Sequence, residues 1–175
     1  MSLGEQIAES RKRTGLTQQE LATRTSYSRS RVANHETGGR AIVKEDWPSY
    51  CAGLNDAEFT LELHSLATGG IYTPYLNGPL VEHHPASLAF LIRQQIKEAK
   101  EHMEQINFSK PFSVLSDSEI DHIEATIDEL LDVQAAAQTL VIDLCSRLDG
   151  LSFNGQVKRW IGSRTAMGMI ARRNY

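Results

Sequence analysis

The sequence predicts an all-α protein, five short helices followed by a helical-hairpin domain. Three observations carry that reading. Leu88, Ile92, Ile96, Ala99, Met103 and Ile106 recur at helical spacing, and Ile120, Ile123, Ile127, Leu130, Leu131, Val141, Leu144 and Leu148 trace a second, longer stripe. Thr17 with Glu20, and Ser116 with Glu119, have the spacing of capping boxes, in which each side chain satisfies a backbone N–H the helix start leaves open. Gly15 and the pair Ser26-Tyr27 cut the N-terminal part into short pieces.

The elements follow in order. Leu3 to Arg13 reads as a first helix, with Ile7 inward and Arg11, Lys12 and Arg13 at the C-terminal end, where positive charge suits the helix dipole. Gly15 ends it and Thr17 caps a second helix, whose buried face is Leu21 and Ala22. Ser26-Tyr27 makes the turn, and Ser28 caps a third helix with Val32 and His35 inward. Residues 42–63 add two short helices through Ile42, Trp47, Tyr50, Leu54, Phe59, Leu61 and Leu63, with Pro48 in a first turn. Thr68-Gly69-Gly70, Pro74, Asn77-Gly78-Pro79 and Pro85 signal extended chain and turns, while Tyr72, Tyr75, Leu80 and Val81 make this arm apolar enough to pack. Two helices, from Ala86 to about Ile106 and from Ser116 to about Asp149, form an antiparallel hairpin. After Gly150 and Asn154-Gly155 a last helix holds Val157, Trp160, Ile161, Met167 and Ile170, with a basic end at Arg172-Arg173. The domains expected are 1–66, an arm over 67–85, and a helical domain over 86–175.

At 175 residues the chain accommodates a small module and a second unit, and its 41% hydrophobic content suffices for packed cores. No apolar run approaches the ~18 residues of a membrane span, and no signal peptide is apparent. Cys51 and Cys145 lack any metal-ligand or CxxC spacing and read as free thiols of a cytoplasmic protein. Residues 1–44 carry eight Lys and Arg against four acids, a net +4; the whole chain is −4, so the remainder carries −8. A basic module on an acidic body keeps phosphate attraction local.

The third helix bears the residues a DNA reader needs. A helix entering the major groove presents its first turn to the base edges. Arg29 offers a fork to guanine, Ser28 and Ser30 are short enough to approach a base or phosphate, and Asn34 suits adenine. Gln18, at the start of the preceding helix, sits among backbone N–H groups that favour a phosphate. Arg31 is placed to reach phosphate or base, and Arg40 the backbone. Glu36 is read as fixing its own loop, because phosphate would repel it.

Gly15-Leu16-Thr17-Gln18-Gln19-Glu20-Leu21-Ala22, the spacing to Ser28-Arg29-Ser30-Arg31-Val32, and the close Glu36-Thr37-Gly38-Gly39-Arg40 resemble the helix-turn-helix of the lambda repressor/Cro (XRE) family over residues 3–63. The resemblance implies a five-helix DNA-binding domain contacting double-stranded operator DNA through Thr17, Gln18, Gln19, Ser28, Arg29, Ser30, Arg31, Asn34, Thr37 and Arg40. Ser26 stands where many members have glycine, and no proline follows Arg40.

In the second half, Glu98, Glu101 and Glu104 on one helix and Glu129 and Asp132 on the other resemble the carboxylate setting of all-α MazG-type nucleoside triphosphate pyrophosphohydrolases. Gln94-Gln95 replaces two of the family's acids, which implies a degenerate domain with no metal site and no enzymatic activity. His83, His84, His102 and His122 lack zinc-site spacing, and no cofactor is implied. The expectation is a bacterial or phage transcriptional repressor binding its operator as a homodimer. Two alternatives stand beside it: an antitoxin-type autoregulator whose second half grips a partner protein, and a DNA-binding protein fused to the degenerate nucleotide-cleaving domain.

Overall fold

In a computed structural model, which describes residues 1–171, the described residues form eight α-helices and no strand. They are α1 (Leu3–Arg13), α2 (Gln18–Thr25), α3 (Arg29–Glu36), α4 (Trp47–Leu54), α5 (Ala57–Thr68), α6 (Pro85–Met103), α7 (Asp117–Arg147) and α8 (Phe153–Ala166). The all-α expectation holds. The chain divides into two units, Met1–Ile71 with the segment from Leu148 onward, and Tyr72–Arg147.

The first unit is built by its caps. Ser2 and Glu5 form a capping box at α1, and Thr17 and Glu20 form another at α2, with Thr17 Oγ1 accepting from the Glu20 N–H and Glu20 Oε2 accepting from the Thr17 N–H at 2.8 Å. Gly15, at φ +70°, turns the chain out of α1 while the Leu16 N–H donates to the Arg11 carbonyl at 2.9 Å. Ile7, Leu21, Ala22, Val32, Tyr50, Leu54, Phe59 and Leu63 close one core, flanked by Leu3, Tyr27, Ile42, Trp47 and Cys51. Two glycines permit this packing. A Cβ on Gly4 would meet the His35 carbonyl oxygen at 2.2 Å, and one on Gly53 would meet Thr25 Cγ2 at 2.7 Å.

In this division the first residues of the arm, to Ile71, fall with the N-terminal helices, the rest of the arm falls with the hairpin, and the last helix falls with the N-terminal segment. Within that first unit Asn154 Nδ2, in the last helix, donates to the Cys51 carbonyl of α4 at 3.1 Å. That helix also starts earlier than its glycine suggests. Ser152 caps it by accepting from the Gly155 N–H, so Asn154-Gly155 lies in its first turn, and Met167 and Ile170 lie beyond its end. The basic end at Arg172-Arg173 lies outside the described residues.

The second unit is the α6–α7 hairpin with the arm laid along it. Thr139 Oγ1 accepts from the Leu76 N–H at 3.0 Å and Gln138 Nε2 donates to the Thr73 carbonyl at 3.1 Å, so the arm packs as its aromatic content predicts. Asp143, buried, accepts from Tyr75 Oη at 2.9 Å and pairs with His83 Nδ1 at 2.8 Å. The α7 stripe behaves otherwise than a hairpin core would. The face buried within the unit is Thr126, Ala135, Ala136, Thr139 and Ile142, while Ile120, Ile127, Leu130, Leu131, Val141 and Leu144 are exposed. Alanine and threonine predominate on that buried face, and these large aliphatic residues lie on the outside.

Candidate nucleic-acid interface

Helices α2 and α3 are joined by a turn whose geometry rests on Ser26, in the left-handed region at φ 59°, ψ 30°. The next residue, Tyr27, donates its N–H to the Ala22 carbonyl at 2.9 Å and turns its ring against Tyr50 and His35. Ser28 Oγ then accepts from the Arg31 N–H at 3.1 Å and starts α3.

Helix α3 has two distinct sides. Val32, His35 and Glu36 are buried, and His35 Nδ1 lies 2.8 Å from Tyr50 Oη. Burial pushes the His35 imidazole below its ordinary value, although the Asp46 charge works the other way. The opposite side carries Arg29, Ser30, Asn34 and Thr37, all exposed. Gln19 is exposed beside it on α2, and Arg40 is tethered at the end of α3 by its N–H to the Asn34 carbonyl at 3.1 Å.

The expected DNA residues therefore fall into two groups. Arg29, Ser30, Asn34, Gln19 and Arg40 present exposed side chains that make no hydrogen bond to another described side chain. The others serve the fold as well. Thr17 and Ser28 are caps, and Thr37 Oγ1 donates to the Ala33 carbonyl at 2.9 Å. Gln18 Nε2 donates to Glu36 Oε2 at 2.9 Å, so its amide is held at the junction of α2 and α3. Arg31 is committed furthest. Its Nη2 donates to Asp46 Oδ1 at 2.6 Å, and its guanidinium carbon lies 3.9 Å from the Tyr27 ring centre.

Asp46 and Tyr27 are the supporting residues that sequence reasoning passes over. Asp46 is buried in the short turn before α4 and also accepts from Tyr27 Oη at 2.9 Å. Burial pushes its carboxyl upward, but the hydrogen bonds from Tyr27 and Arg31 outweigh that and hold it below the ordinary value. No periodicity announces such a residue, because its partners lie across a loop. Glu36 was legible as a loop-fixing residue, and it is one: it is buried and receives Arg11 and Gln18.

In the second unit, Gln94 Nε2 donates to Glu98 Oε1 at 3.0 Å. The Glu129 carboxyl is raised above its ordinary value, first by burial and then by the neighbouring Glu98 and Asp132 charges. His102 Nδ1 and His122 Nδ1 lie 3.2 Å apart. Among the described residues, no three His, Cys, Asp or Glu side chains form a group able to hold a metal ion. No helix among them is long and apolar enough to cross a membrane.

Two short helices joined by a tight turn, the second with one polar face to solvent, form a helix-turn-helix. Comparison with known families agrees: a family model described as a helix-turn-helix domain matches residues 2–55. No curated protein and no solved structure matches the chain.

Proposed function

We propose that the protein is a sequence-specific transcriptional regulator of the lambda repressor/Cro (XRE) type, a repressor that binds operator DNA as a homodimer in the cytoplasm. The observation that carries this is the free face of α3, where Arg29, Ser30 and Asn34 stand exposed with Gln19 and Arg40 at its flanks. Base reading falls to Arg29, Ser30 and Asn34, and phosphate positioning to Gln19, Thr37, Arg40 and the N-terminal end of α2 around Thr17 and Gln18. Arg31 supports the helix from behind and contributes charge. Two such helices roughly 34 Å apart read the halves of an inverted repeat.

The second unit is proposed as an assembly or signal-receiving domain instead of an enzyme. The amide of Gln94, donating to Glu98 where a second carboxylate would be expected, favours a former carboxylate site.

Salt-titrated fluorescence anisotropy on DNA from upstream of the gene tests the reading. Wild type binds one sequence tightly, and Arg29→Ala loses about 1–3 kcal/mol of that preference at one base position. Equal, weak binding to random DNA by both proteins would remove the proposal.

A further inference from the structure

We infer that the exposed face of α7 is the homodimer interface, with the α7 helices of two copies packed antiparallel about a two-fold axis at the level of Asp132. The inference rests on the homodimer proposed above and names the surface that makes it. Ile120, Ile127, Gln134 and Val141 recur every seven residues, and Ile123, Leu130, Ala137 and Leu144 recur at the same period between them. This is the three-and-four spacing of a coiled-coil seam, and it drifts around a straight helix as a left-handed supercoil requires. A solvated helix has no reason to keep that register on its outer side. Here Ile120 is 42% exposed, Ile127 52%, Leu130 47%, Val141 43% and Leu144 37%, with Ile123 and Ala137 half-buried, while the residues of α7 buried within the unit are Thr126, Ala135, Ala136, Thr139, Ile142 and Asp143.

Two features select a second copy of this chain in antiparallel orientation. The first is register. Reversal about Asp132 sets Ile120 opposite Leu144, Ile123 opposite Val141, Ile127 opposite Ala137 and Leu130 opposite Gln134, so every seam residue meets its counterpart from the other series. The interface is then isologous, as a two-fold demands. Each end pairs aliphatic side chains, the next layer inward sets a large residue against a small one, and the central layers carry the polar Gln134, a device that fixes register. The second is charge. Asp117, Asp121, Glu124, Asp128 and Asp132 crowd the N-terminal half of α7, whereas beyond them the helix carries only Asp143, buried beneath Tyr75 and His83, and Arg147. Parallel pairing would stack acid on acid, and antiparallel pairing lays the acidic half against the uncharged half that ends in Arg147.

The full-length chain tests this. Light scattering should give twice the 19.5 kDa chain mass for wild type and the single mass for Ile127→Asp, with unchanged helical circular dichroism. In a Cys51→Ala, Cys145→Ala background, co-expressed Ile120→Cys and Leu144→Cys copies should form a mixed disulfide. Neither should link to itself, since identical positions lie about 36 Å apart in the antiparallel seam. A monomeric wild type, a dimeric Ile127→Asp, or self-linking of Ile120→Cys would overturn the inference. Operator binding by the same proteins separates the two ideas. Specific binding by a dimer that ignores Ile127→Asp overturns the seam alone, and a correctly cross-linked dimer with no DNA preference overturns the proposed function alone.

Discussion

Arg11 grips Glu36 through two parallel hydrogen bonds, Nε to Oε1 at 2.6 Å and Nη2 to Oε2 at 3.0 Å, and so ties α1 to the end of α3. The guanidinium also donates to the Leu16 carbonyl at 2.9 Å, and Gln18 reaches the same carboxylate from α2. Glu36 thus joins three helices, and the charge it carries is nearly dry, with 5% of its side chain exposed. Removing one member of a buried ion pair leaves the other uncompensated. Glu36→Ala should lose about 3 kcal/mol in urea unfolding of the first unit, and Glu36→Gln less, because the amide oxygen still accepts one bond. Equal stability of Glu36→Ala and wild type would show that the pair holds nothing together.

His35 gives the first unit a pH dependence. Burial lowers its folded pKa below the ordinary 6.5. The unfolded chain therefore takes up the proton more readily, so the contribution is present above about 6.5 and is lost as pH falls below it. Urea unfolding should show wild type weakening from about pH 7.5 to 5.5. His35→Gln keeps a partner for Tyr50 Oη without titrating and should show a shallower decline. The difference between the two proteins is the decisive quantity.

Backbone demands at two positions predict opposite signs. Gly4 lies where α1 crosses the end of α3, and an added methyl would meet the carbonyl oxygens of His35 at 2.2 Å and Glu36 at 3.2 Å. Neither oxygen can move without moving α3, so Gly4→Ala should destabilise by about 1–3 kcal/mol and blunt DNA binding by tilting the reading helix. Ser26, in contrast, holds a left-handed conformation that an L side chain resists. Ser26→Gly should stabilise by about 0.5–1 kcal/mol and leave DNA affinity unchanged. Thermal melts of the two variants beside wild type check both.

The N-terminal helices were legible almost to the residue because local chemistry sets them. Leu3, Arg13, Thr17 and Ser28 fall where the caps and Gly15 place them, and Val32 and His35 point inward as the spacing says. What was not legible depended on side chains meeting across loops. Arg31 reads as a DNA contact in sequence, where nothing marks the buried Asp46 that also takes its guanidinium. In α7 the periodicity found a real stripe but not its direction, since alanine and threonine carry too little apolar signal to mark the face buried within the unit. The long-range hydrogen bond from Asn154 of α8 to the Cys51 carbonyl is likewise one that no local pattern announces.

Under the proposed function, the contrast between neighbouring arginines on α3 separates a reading residue from a supporting one. Arg29 is exposed, while Arg31 lies over Tyr27 and donates to Asp46 with 29% of its side chain exposed. Arg31→Ala strips a buried carboxylate of its charged partner, and because Arg31 keeps some contact with water the cost should stay near the low end of that class, about 1–2 kcal/mol. Its DNA effect should be uniform across sequences, with a smaller salt slope if its charge faces phosphate. Arg29→Ala should leave the unfolding curve in place and flatten preference at a single base pair. Measuring stability and anisotropy on both variants gives four numbers with a definite pattern. A loss of stability in Arg29→Ala, or a base-specific loss confined to Arg31→Ala, would mean that the reading face of α3 is the side turned toward Tyr27 and not the side that carries Asn34.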